Sequence, residues 1–104
     1  MKKQYRQGDV FLFPAKLPKN REQNKDKVLA LGEATGHRHE VFDGEVFVGP
    51  KGDLYVLATD ETELRHVSGT GQQADHAPIT LDPGTYRVVI QQEYLPEGAR
   101  RVTD

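Results

Sequence analysis

The apolar residues of this chain come in short runs of four to six, separated by Gly, Pro, Asp and Asn. Runs of that length with turn residues between them predict strands rather than helices. "DVFLF" (9–13) reads as a strand ended by Pro14, and "KVLAL" (27–31) as a second. "RHEVF" (38–42) and "EVFVG" (45–49) flank Asp43-Gly44. That dipeptide suits a two-residue hairpin, because both central positions of a type I′ turn need φ > 0. "LYVLAT" (54–59) follows the turn cluster "GPKGD", and "ELRHV" (63–67) is a further short strand. "APITL" (77–81) leads through Asp82-Pro83-Gly84 into "TYRVVIQQEY" (85–94), the longest run.

No window carries a sustained helical apolar face, and the best candidate, around 19–27, is too polar to bury one. Segments 15–26 and 68–75, "SGTGQQAD", read as loops. There is no internal repeat and no domain boundary. Short strands at this spacing predict an all-β single domain over 1–104, a small barrel or sandwich of mostly antiparallel strands.

Length and composition narrow the function classes. A chain of 104 residues supports one core and buries roughly 60–70% of its unfolded surface, which disfavours a deep substrate cavity. The absence of cysteine excludes disulfides, thiolate metal ligands and a Cys nucleophile. It fits a cytoplasmic setting. Gly8 and Asp9 interrupt the apolar run near the start, so no signal peptide is expected there. No segment approaches the roughly 20 apolar residues of a membrane helix.

The net charge of −2 gives no global basic field for nucleic acid. The charge is uneven, with five basic and two acidic residues in 15–27, and eight acidic residues against Arg38, Lys51 and Arg65 in 32–66. The plain reading is a solvated basic loop on a mildly acidic body.

"GEATGHRHEVFDGE" (32–45) holds the most chemistry. Side chains at i and i+2 of a strand share a face, so His37, His39 and Val41 point one way and Arg38, Glu40 and Phe42 the other. If Val41 faces the core, both imidazoles face inward with it. Neutral imidazole binds divalent Zn, Fe, Mn or Ni, and a catalytic centre needs three or four ligands with one position open. His76, directly before a strand, is the expected third ligand. His66 is the alternative. Asp43, Glu45 and Glu33 are nearby carboxylates, with Glu45 or Glu33 as proton carrier if a bound metal acts as Lewis acid or activates water. The competing reading makes the histidines hydrogen-bonding or surface residues.

The same stretch resembles the first motif of the cupins: Gly32, the pair His37 and His39, Asp43 or Glu45, and Gly49. That resemblance implies a small β-barrel holding a divalent metal, with His37 and His39 as ligands and His76 as the later histidine. Gly32 stands one residue closer to His37 than in the motif, and Pro83-Gly84 follows His76 where the family places such a turn before it. A longer likeness, through "QGDV", "GEATGHRHEV" and "HAPITLDPGTYRVVIQQEYLPE", is to small uncharacterised bacterial and phage proteins, and implies a single compact domain.

An alternative function is a non-enzymatic protein- or nucleic-acid-binding module without metal, phage- or plasmid-borne. Gln91, Gln92, Glu93, Tyr94, Arg100 and Arg101 near the end of the chain, with Lys2, Lys3, Arg6 and the 15–27 segment, are its candidate contacts. A third is a homo-oligomer joined through edge strands. "GTGQQ" lacks the Lys-Ser/Thr of a P-loop, and Ser68 has no Gly-x-Ser-x-Gly setting, so nucleotide hydrolysis and serine hydrolysis have little support.

Overall fold

A computed structural model of the chain describes residues 3–31, 37–67 and 77–91. The strands are β1 (Tyr5–Gln7), β2 (Val10–Pro14), β3 (Glu22–Gln23), β4 (Val28–Leu31), β5 (Arg38–Val48), β6 (Leu54–Val67), β7 (Ile79–Thr80) and β8 (Gly84–Ile90). Every pairing is antiparallel, and the sheet runs in the order β1-β2-β8-β6-β5-β3, with β4 on β5 and β7 on β6. The all-β, antiparallel expectation is met. The closed barrel is not: β1 and β3 end the sheet, and no ladder joins them among the described residues.

Alternation builds the core. Val10 and Leu12 of β2, Val56 and Ala58 of β6, and Tyr86 and Val88 of β8 are buried and pack with Val41, Val46, Leu64 and Leu81. Each such Val or Leu contributes roughly 1.5–3 kcal/mol by leaving water. The turn cluster at 49–53 is the true β5–β6 hairpin, closed by the Gly49 amide donating to Asp53 O (2.8 Å) and the Gly52 amide to Gly49 O (3.0 Å). Gly52 takes φ +84° there, a conformation that costs glycine nothing sterically.

Asp43-Gly44 is not the expected hairpin turn. It does not turn the chain, because β5 runs on through it. Asp43 does adopt positive φ (60°), but as a bulge residue. Opposite it, β6 carries four residues, 59–62, between Ala58, which pairs with Gly44, and Glu63, which pairs with Phe42. The runs at 54–59 and 63–67, expected as separate strands, are therefore one strand with an excursion. The Thr62 hydroxyl closes the excursion by donating to Asp43 O (2.6 Å) and accepting from the Thr59 amide (2.8 Å). Segment 15–26, expected as a loop, contains the short β3. Segment 68–75 and residues 92–94 of the last run lie outside the described residues.

The bulge divides the long hairpin into two halves. Its turn-side half pairs with β8 and β3, and its far half with β4 and β7. It also switches the inward positions of β5 from odd to even: His39 and Val41 before it are buried, Gly44 and Val46 after it. Asp43 is thereby turned outward, although strict alternation would have set it beside His39 and Val41.

Candidate functional site

The far half of the hairpin brings three imidazoles together. His39 on β5 pairs directly with His66 on β6. The rings stack face to face, with centroids 4.4 Å apart and planes at 13°. His37 meets His66 edge to face, at 5.2 Å and 89°. His39 and His66 are 3% and 2% exposed, and His37 is half-buried. His39 and Val41 are buried on the inward face as expected, and His37, just before β5, sets its ring against inward-facing His66. On the other face Arg38 pairs with Glu40 at 2.7 Å, and the Arg65 guanidinium lies 4.3 Å from the centre of the Phe42 ring.

A fourth residue, absent from the sequence reading, organises the cluster. Gln7, at the end of β1, is 2% exposed. Its amide nitrogen donates to Leu64 O (3.0 Å) and Ala77 O (2.8 Å), which uses both of its hydrogens. The amide oxygen then faces His39 Nδ1 at 2.9 Å. An amide oxygen only accepts, so Nδ1 carries the proton. In neutral His39 the lone pair is left on Nε2. The sheet's open side is thus bridged at this point by a side chain joining β1 to β5 and β6 and to the residue following His76.

The ring planes set what the cluster can hold. An imidazole lone pair lies in its ring plane, and a bound zinc sits about 2.0–2.1 Å from the nitrogen. Two parallel rings cannot both aim in-plane lone pairs at one ion, so His39 and His66 do not share an ion while stacked. His37 stands nearly perpendicular to that stack and on the same strand face as His39, and its plane does not exclude a shared ion. Among the described residues no group of three or more His, Cys, Asp or Glu side chains is arranged to hold a metal.

His76, Glu33 and Gly32 lie outside the described residues, as do Gln92, Glu93, Tyr94, Arg100 and Arg101. Glu45 lies between the inward-facing Gly44 and Val46 and points outward, accepting from Gln23 Nε2 and lying 3.9 Å from Lys27 Nζ. Asp43 is exposed at the bulge. Beside Gln7, an open cleft of about 420 Å³ is lined by Arg6, Gly8, Ala77, Pro78 and Ile79. Near the start of β8, burial pushes the Tyr86 hydroxyl up to about 12, helped by Tyr5 and Asp82. Tyr86 donates to Asp82 O at 2.5 Å and packs edge-on against Tyr5, 5.7 Å between ring centres.

A family model described as a domain of unknown function, DUF8820, matches residues 6–91. The chain belongs to the DUF8820 family. No curated protein and no solved structure matches it. The DUF8820 match begins at Arg6, so it takes in Gln7, all four histidines and every strand from β2 to β8. Residues 92–104 fall outside the DUF8820 match. Among the described residues no helix is long and apolar enough to cross a membrane.

Proposed function

We propose that this DUF8820 domain is a small cytoplasmic metal-binding module in which His37 and His39 hold a divalent transition-metal ion. The carrying observation is the Gln7 clamp. Histidines that ligate metals almost always donate their other ring N–H to a fixed acceptor, which sets the tautomer and raises ligand basicity. Gln7 does this for His39, so Nε2 is the ring atom whose lone pair a metal would take. His37, two residues away on the same face, is the natural second ligand. His76, expected as the third from the sequence, remains the first residue to test beyond these two. When bound, the ion supplies Lewis acidity or activates a water. Glu45 is set aside as proton carrier, because it faces Gln23 and Lys27 on the outer side.

Elemental analysis of protein purified without a histidine tag tests this reading, together with Zn²⁺ and Ni²⁺ titration followed by melting temperature. Near-stoichiometric metal, lost in H37A and H39A, supports it, and H76A reports on the third ligand. Wild-type protein that neither carries metal nor shifts its melting temperature on adding it sinks the proposal.

A further inference from the structure

The outer face of the sheet carries an aromatic row that only the strand register reveals. Phe13 on β2 pairs directly with Arg87 on β8, Arg87 with Tyr55 on β6, and Tyr55 with Phe47 on β5. Directly paired residues share a face, and neighbouring strands lie about 4.8 Å apart. The four side chains therefore form one continuous row, on the side away from buried Leu12, Val46, Val56 and Val88. The three aromatic rings are partly exposed and Arg87 is exposed. Phe11 extends the row along β2, its ring parallel to that of Phe13 at 4° and 6.1 Å away.

Positive charge frames these rings. The Arg6 guanidinium lies 5.0 Å from the centre of Phe11, and that of Arg21 lies 5.2 Å from the centre of Phe47. Both arginines are exposed. The basic segment 15–27 passes the Phe47 end of the row, where Gln23 pairs with Phe47. Arg87 has a half-exposed ion pair with Asp53 at 3.5 Å, a contact of little net strength in water.

We propose that this face binds single-stranded nucleic acid, with bases stacking on Phe13, Tyr55 and Phe47 and phosphates meeting Arg6, Arg21 and Arg87. Unpaired bases offer flat π faces to aromatic side chains whatever their sequence, and basic groups alongside track the backbone. Arg6 Nε donates to Gly8 O and Arg21 Nη1 to Pro18 O, and the other N–H groups of each guanidinium are the ones a phosphate would meet. A duplex hides its base faces in its own stack and cannot use the row. An acidic peptide would match the arginines but has no use for the rings. The row lies on the outer face and the imidazoles point inward, so this site is independent of the metal reading.

Fluorescence anisotropy with a labelled oligothymidylate of about twelve nucleotides tests the proposal. The expected result is binding that weakens between about 50 and 200 mM salt. F13A and F47A should each weaken it by roughly fivefold or more, the scale of one lost stacked base. R6E and R21E, at exposed positions that leave the core untouched, should also weaken it and flatten the salt dependence, and they decide the matter if circular dichroism shows an aromatic variant unfolded. No binding at about 50 mM salt overturns the proposal. So does equal affinity for a duplex, displacement by polyglutamate as readily as by unlabelled oligothymidylate, or indifference to all four substitutions.

Discussion

Gln7 and His39 stand thirty-two positions apart in the chain and meet with the amide oxygen 2.9 Å from Nδ1. Two backbone carbonyls dictate which way the amide lies, and the amide in turn dictates where His39 keeps its proton. Gln7→Leu removes the donor to Leu64 O and Ala77 O and the acceptor for Nδ1. Leaving buried polar groups unmatched costs about 1–3 kcal/mol, so urea denaturation should show a loss of about that size. Nitrogen-15 shifts of neutral His39 should report Nδ1–H in the wild type and a move towards Nε2–H in the variant. An unchanged tautomer would break the link drawn from Gln7 to the ligating atom.

Metal affinity should separate the two stacked rings. His66→Phe keeps a flat ring against His39 but removes its nitrogens. Since the parallel planes bar His66 from sharing the ion, its affinity loss should stay below the roughly tenfold that follows removal of a ligand-orienting residue. His39→Phe should abolish uptake. Isothermal titration with Zn²⁺ compares them, and equal losses in the two variants would mean that the rings turn to ligate together.

The bulge gives a prediction about packing. A Cβ built on Gly44 would stand 2.7 Å from Thr62 Cγ2, 2.8 Å from Thr62 Oγ1 and 3.0 Å from Leu57 O. Gly44→Ala should destabilise the fold by about 1–3 kcal/mol through overpacking. Thr62→Ala should cost about 1–3 kcal/mol by releasing Asp43 O and the Thr59 amide. The double variant should be less destabilised than the two losses added, because the second substitution removes the atoms that the first one strikes. Strict additivity in chemical denaturation would rule out that contact.

Alkaline stability should carry the signature of Tyr86. Its hydroxyl is held protonated up to about 12 in the fold and loses its proton near 10 when unfolded. Below pH 10 both states keep the proton and the contribution is complete. Between about 10 and 12 the folded state binds more protons than the unfolded one, so stability falls with rising pH. Tyr86→Phe should remove part of that slope. Denaturant midpoints of the two proteins across this range give the comparison, and parallel curves would count against a raised Tyr86.

Much of the fold was legible in the chain because period-two patterning is local. β2, β4, β8 and the inward side of His37, His39 and Val41 follow from it. Asp43-Gly44 misled for a physical reason: the dipeptide specifies a left-handed residue, and a bulge needs one as much as a turn does. The choice of partner for His39 was beyond such reading. Counting back from the 49–53 turn sets Glu63 against His39, and the three extra residues that β6 carries at the bulge bring His66 there instead. Gln7 gave no local signal at all, since its role comes from contacts 57 and 70 positions away.

The Gln7 bridge also orders the domain's assembly in time. The stacked imidazoles need only the β5–β6 hairpin, whose strands are joined by a tight turn and close quickly. Gln7 must wait for Ala77, and β2 for its pairing with β8, across loops whose closure costs more entropy and slows folding. Contact order therefore predicts that the N-terminal strands, though made first, dock last, after the two imidazoles of the hairpin have met.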